Sequence, residues 1–360
     1  MFSHVDPKRY SPHLGSIGSF MSTRLGGALC PPRSLIRRMS TAPHISILGR
    51  QYPTDSFTNI SPTIISKLPL RLHSQPNHPL SSLRSLIESH FPDYTHLSSF
   101  SPLVTPYKNF DELSFPLDHP GRAVTDSYYV NKDLMLRTHT SAHEVDVFRS
   151  GESKWLLTAD VYRRDEIDAS HYPVFHQMEG ARIFSSDVSG MKEVGEENAR
   201  LSQHLSQSNI LISDVPHITP SNPAQPSHDL KHSELIAINL KLSLNSLLLH
   251  LFGGITGEGD ATNEEPLQVR WIEAYFPFTS PSYEVEVFFR GKWLEILGCG
   301  VIRQATLDRA GSFLTIPIFP YIQFTHNRRP VQNGLGLRSR PRADINDPKF
   351  NPGYSFILVH

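Results

Sequence analysis

Apolar residues return along this chain at two different spacings, and the spacings separate helices from strands. In "HPLSSLRSLIESHF" the positions Leu80, Leu83, Ile87 and Phe91 recur three to four residues apart, the repeat of one helical face. A second run, "HSELIAINLKLSLNSLLLHLFGG", predicts a longer helix ended by Gly253 and Gly254. Extended texture marks "WLLTADVYRR" and "SYEVEVFFRGKWLEILGCGV". In the latter, Tyr283, Val285, Val287 and Phe289 share one side, and "RGKW" marks the turn of an antiparallel hairpin with one face in a core. Hairpins and helices mix without regular alternation, which predicts an α+β fold on an antiparallel sheet. The stretch 204–233, rich in Ser, Pro, Asn and His, reads as a mobile surface insertion.

Composition narrows the classes. The 360 residues are enough for one large or two smaller domains with a real core. A formal net charge of -1 excludes a protein that grips nucleic acid through a global positive field. Cys30 and Cys299 make no disulfide framework, no apolar run approaches the roughly 20 residues of a membrane span, and no phosphate-cradling glycine loop of the P-loop or dinucleotide type occurs. The first 50 residues differ from the rest: Lys8, Arg9, Arg24, Arg33, Arg37, Arg38 and Arg50 stand against the single acid Asp6 among many serines. That is the composition of an organellar transit peptide, so 1–45 is expected to be a cleavable, disordered arm and the folded body to begin near Ile47.

Candidate chemistry concentrates between Asp118 and Phe184. "DHPGRAVTDSYYVNKDLMLRTHTSAHE" and "DVYRRDEIDASHYPVFHQMEGARIF" set five histidines, paired arginines and several carboxylates among aromatics. Each polar group buried there needs a partner, so structure alone is a poor reason for them. Arg163 and Arg164 precede a loop, and the chain returns through "FHQMEG", where Gln177 and Glu179 lie two apart and share a strand face. That arrangement suits an anion beside an ammonium group. His139, His143, His171 and His176 lack the thiolate or closing carboxylate of a zinc site, and no metal ligand set is assigned.

The hairpin resembles motif 2 of the class II aminoacyl-tRNA synthetases. With "LRTHTSAHE", "DHPGR", "WIEAYFPFTSPSYEVEV" and "WLEILGCG", the resemblance to the organellar phenylalanyl-tRNA synthetases runs over roughly 47–311. It implies a class II catalytic domain over 46–311, with a central antiparallel sheet flanked by helices. Implied too are ATP and Mg²⁺ as cofactors, phenylalanine and tRNA(Phe) as partners, a monomer, and the mitochondrial matrix. By position, Arg163 is the catalytic residue that contacts the α-phosphate of ATP. Ser141, Ala142, His143, Glu144, Ser170, His171, Tyr172 and Glu295 match nucleotide- and substrate-contacting positions. Gln177 and Glu179 match the residues that hold the amino group of phenylalanine, Phe276 and Phe278 the wall for its ring, and His139 with Ser141 the amino-acid end of the pocket. Glu144 departs from the family's usual glutamine, and a negative charge there opposes a triphosphate.

The segment 312–360 carries no family marker beyond a truncated "GLGL". The family continues instead into motif 3, with "GLGLER", and into an anticodon-binding domain. Codons for Asn333 to Pro352 read one nucleotide later can give "MGLAFGLGLERILMILSSIP", so this tail reads as translated intron followed by exon in the wrong frame. The alternative to an active ligase is therefore a catalytically defective synthetase-like product.

Overall fold

The computed structural model describes residues 43–164, 167, 172–253 and 265–311, together with the backbone of a short strand at 317–318. In chain order the elements are β1 (His44–Ile47), β2 (Arg50–Pro53), α1 (Pro62–Ile65), α2 (Pro79–His90), β3 (Thr95–Leu97), β4 (Leu103–Val104), β5 (Tyr129–Asn131), β6 (Leu134–Leu136), α3 (Glu144–Arg149), β7 (Lys154–Tyr162), β8 (Val174–Ile183), α4 (Val188–Ser206), β9 (Ile210–Ser213), α5 (Leu230–Phe252), β10 (Leu267–Glu273), β11 (Thr279–Phe289), β12 (Lys292–Ile302), α6 (Gln304–Ala310) and β13 (Pro317–Ile318). The arm at 1–42, Gly254 and most of the tail lie outside the described residues.

Strands group as β12-β11-β10-β9, β13-β8-β7-β3, β4-β6-β5 and the hairpin β1-β2. The long strands pair antiparallel, as expected, while the edge strands β9 and β3 run parallel to β10 and β7. The α+β expectation therefore holds, with the antiparallel core divided between two four-stranded sheets. Arg290 and Gly291 turn the β11–β12 hairpin with φ of 49° and 78°, the left-handed pair that a tight hairpin turn demands and that glycine makes easy. Strand alternation then buries Tyr283, Val285 and Val287 together, beside Val269 and Trp271 of β10.

Helix α5 covers that face. Leu240, Leu244, Leu247, Leu248 and Leu251 pack with Ile87 of α2 on Val285, Val287, Leu297 and Cys299. Asp229 caps α5 by accepting from His232 N at 3.0 Å, and Gly253 ends it as the sequence predicts. One expectation is corrected here. At 23 residues, with a mean hydropathy of 1.6 over its best window, α5 is long and apolar enough to cross a bilayer. Because 67% of that window is buried, it serves here as a core helix.

The stretch 204–233 contains the end of α4, the strand β9 and the cap of α5, and most of its side chains are exposed or half-buried. Asn222 is buried and exchanges two 2.8 Å hydrogen bonds with the Ser282 backbone. Gln225 donates to Ile302 O at 2.8 Å and to Ser280 O at 3.2 Å, and accepts from Gln304 N at 2.9 Å. Those two amides tie the connection to β11, β12 and the start of α6.

Candidate functional site

The β7–β8 hairpin supplies the frame. Glu179 pairs with Leu157 and Gln177 with Ala159, so the strand's period of two sets both polar side chains on one face. Both are 1% exposed. Arg163 follows the end of β7; its Nε donates to Thr138 O at 3.1 Å, and its guanidinium lies 5.3 Å from the Phe175 ring centroid. Arg164 goes elsewhere: its backbone N donates to Asp126 O at 2.8 Å, its side chain bonds Val124 O, and it sits over the Tyr128 ring. Tyr172 is half-buried at the return, whereas Ser170 and His171 lie outside the described residues.

The segment from Arg137 to Glu144 crosses beneath this hairpin. Thr140 N donates to Gln177 Oε1 at 3.1 Å; Thr140 Oγ1 and Ser141 Oγ both donate to Glu179 Oε2, at 2.7 and 2.9 Å. Burial pushes the Glu179 carboxyl up to about 7, and the two hydroxyls partly offset the rise. Glu144 is 1% exposed, with no hydrogen-bond partner on either oxygen among the described residues. Burial, and then the neighbouring Glu179, hold its carboxyl well above the usual range. Burial and the neighbouring carboxyl thus both disfavour the negative charge that its residue type implies.

His139 Nε2 lies 2.9 Å from Asn109 O, and burial followed by the Arg163 charge lowers its pKa to about 3. Its ring stacks on Phe115 at 5.5 Å and 10°. Phe115 in turn meets Phe278 at 5.9 Å, and Phe278 stacks on Phe276 at 6.0 Å. A continuous aromatic wall therefore runs from His139 to Phe276 and includes Phe115, which the sequence did not single out. The only signal for it is its place just before "DHPGR", where Arg122 pins the loop by bonds to Phe115 O and Pro116 O, both at 2.8 Å. On the other side Gly298 of β12 admits the Phe276 ring, since a Cβ there would stand 2.7 Å from the ring's Cζ.

Other expected residues fall outside this constellation. Ala142 packs with Val104, Phe110, Tyr129 and Met135. His143 stacks on Phe100 at 4.6 Å and accepts from Arg137 Nη1 at 3.0 Å, and burial keeps it uncharged. Arg137, 2% exposed, also pairs with Asp160 at 3.2 Å and donates to Asp160 O at 2.6 Å. This buried network underpins the site. Glu295 lies on β12 opposite Glu286; burial, then Glu284 and Glu286, push its carboxyl up to about 7. Among the described residues no group of three or more His, Cys, Asp or Glu side chains converges on a metal-sized site.

Chemically, the site offers one carboxylate held by two hydroxyls, an amide whose Nε2 has no partner among the described residues, an aromatic slot, and an arginine at the hairpin's mouth. An amine, a flat apolar side chain and an anion would all be accommodated. Residues 65–203 and 226–317 match the family described as tRNA synthetases class II core domain (F). A mitochondrial phenylalanine–tRNA ligase of Rattus norvegicus is 40% identical over 280 residues, covering 74% of this chain and 54% of that protein. The mitochondrial enzyme of Saccharomyces cerevisiae is 40% identical over 326 residues, covering 82% and 67%. The chloroplastic/mitochondrial enzyme of Arabidopsis thaliana is 34% identical over 308 residues, covering 82% and 60%. The chain thus spans between about half and two thirds of the length of these relatives.

Proposed function

Since the chain belongs to the class II tRNA synthetase core-domain family, we propose that it carries the catalytic core of a mitochondrial phenylalanine–tRNA ligase. The observation that carries this reading is the junction of Gln177 and Glu179, clamped by Thr140 and Ser141, with the wall of Phe115, Phe276 and Phe278. Glu179 meets the ammonium of phenylalanine, and the wall receives its ring by offset or edge contacts. A tyrosine hydroxyl set against that wall would be desolvated without a partner, which disfavours tyrosine.

In the reaction, one carboxylate oxygen of phenylalanine attacks the α-phosphorus of ATP, a P–O bond forms, and pyrophosphate leaves with the electrons of the bond it breaks. The terminal ribose hydroxyl of tRNA(Phe) then attacks the phenylalanyl carbonyl, and AMP departs. Arg163 neutralises charge on the α-phosphate, while the buried hairpin and the 137–144 segment hold the carboxylate in line. When bound, Mg²⁺ would neutralise charge on the phosphates, and Glu295 and Glu284 on the adjoining strands β12 and β11 are the carboxylates that would hold it together with substrate oxygens. Ser170, His171 and Tyr172 complete the nucleotide side. The protein works as a monomer in the mitochondrial matrix, after removal of the basic arm within 1–45.

Phenylalanine-dependent exchange of pyrophosphate into ATP tests the reading. It should be run on this chain and on one in which Asn333–Pro352 is replaced by the alternative-frame "MGLAFGLGLERILMILSSIP". Exchange by either version that depends on phenylalanine and not on tyrosine supports it; no exchange by either, or equal exchange with tyrosine, overturns it. Sequencing the spliced transcript decides the frame of the tail.

A further inference from the structure

Asn109 does not belong to the hairpin, yet three of the contacts that fix the 137–141 segment pass through it. It lies on a π-turn, Tyr107–Asp111, and is wholly buried. Turns of this kind insert an extra residue into helical geometry and often mark functional sites. The Asn109 side chain satisfies Thr138 twice: Nδ2 donates to Thr138 Oγ1 at 2.8 Å, and Oδ1 accepts from Thr138 N at 3.0 Å. Its carbonyl oxygen takes the third contact, to His139 Nε2 at 2.9 Å.

That third contact has a chemical consequence. A carbonyl oxygen can only accept, so Nε2 of His139 must carry the hydrogen. Burial and the Arg163 charge keep the ring neutral. Nδ1 is therefore a bare lone pair, and it is buried without a partner among the described residues. Thr138 also passes the position on, because its carbonyl accepts from Arg163 Nε while the next residues hold Gln177 and Glu179.

We propose that Asn109 is a positioning residue that locks His139 in the Nε2–H tautomer. It thereby presents Nδ1 as a hydrogen-bond acceptor for the amino-acid ammonium and sets the register of Thr138 between the ammonium site and Arg163. The inference rests on the proposed amino-acid-activating reading for its kinetic consequence; its tautomer claim stands without it. Replacing Asn109 with alanine removes both side-chain bonds and frees the Thr138–His139 peptide to shift, so the tautomer lock and the amino-acid site loosen together.

The test has two independent readouts, on the full chain. Ring-nitrogen ¹⁵N shifts of selectively labelled histidine, assigned with His139→Asn, report the tautomer in the unliganded protein. The wild type is expected to show a protonated Nε2 and an unprotonated Nδ1 at pH 7, and Asn109→Ala a mixture of the two tautomers. In pyrophosphate exchange, Asn109→Ala should raise KM for the amino acid roughly tenfold, while KM for ATP changes less than about twofold. Thr138→Val, which removes only the Oγ1 acceptor and keeps the shape, serves if Asn109→Ala fails to fold, and should give a smaller rise in the same KM. A protonated Nδ1 in the wild type overturns the proposal. So does a folded variant with the wild-type tautomer and an unchanged ratio of the two KM values. Absence of exchange in the wild type overturns the functional reading and leaves the tautomer result to decide the lock by itself.

Discussion

Gly298→Ala is the sharpest probe of the aromatic wall, because a single methyl meets a single ring. The added Cβ would stand 2.7 Å from Phe276 Cζ and 3.1 Å from Cε2. Carbon–carbon contacts are most favourable at about 3.5–4.0 Å, so the ring's leading edge must retreat by about 0.8–1 Å. Phe276 is half-buried and can yield toward Phe278, its stacking neighbour at 6.0 Å. The stability cost therefore falls near the lower end of the overpacking range, about 1 kcal/mol. The slot pays more, since the ring moves into the space of the substrate's own ring. Loss of one to two methylenes' worth of contact, at about 0.8 kcal/mol each, raises the phenylalanine KM by roughly four- to fifteenfold. Amino-acid-dependent pyrophosphate exchange and thermal melting measure the two effects separately. An unchanged phenylalanine KM in a variant with a slightly lowered Tm would refute the placement of the Phe276 ring as a wall of the pocket.

Three further outcomes follow from the same geometry. Glu144 has a folded pKa raised above the ordinary 4.5, so the stability linked to its proton is present below about pH 4.5 and fades as pH rises through the elevated value. Glu144→Gln should therefore match the wild-type Tm at pH 5 and exceed it by ~2–4 °C at pH 8; equal melting at both pH values would contradict the raised pKa. Arg137→Ala leaves Asp160 buried without its cation, so denaturant unfolding should show a loss of about 3–5 kcal/mol, and a loss below 1 kcal/mol would show that the pair is not desolvated. Arg163→Ala should lower kcat in exchange by roughly 100-fold or more while Tm shifts by only a few degrees, and a change in KM for phenylalanine alone would assign the guanidinium to the wrong end of the substrate.

Elements whose apolar residues lie on one face were legible from the chain itself: α2 from Leu80, Leu83 and Ile87, and the β11–β12 hairpin from alternation broken by Arg290–Gly291. Polarity conceals side chains that are buried on backbone partners. Asn222 and Gln225 lie in the largely exposed stretch 204–233, yet both side chains are consumed by the β11 and β12 backbones. Contacts between distant residues were also hidden. Phe115 joins the wall only because the fold brings His139 and Phe278 to it, and Asn109 matters only through Thr138 and His139. Residue type alone gave Glu144 a charge that burial disfavours.

The central claim is that Glu179, held by Thr140 and Ser141 beside an aromatic slot, receives the ammonium of phenylalanine. Calorimetric titration of the full chain with phenylalaninol, which keeps the ammonium and lacks the carboxylate, and with 3-phenylpropionate, which keeps the carboxylate and lacks the ammonium, tests it most directly. Measurable binding of phenylalaninol that Glu179→Gln abolishes, with none of 3-phenylpropionate, is the predicted result. Preferential binding of 3-phenylpropionate, or phenylalaninol affinity indifferent to Glu179→Gln, would contradict it.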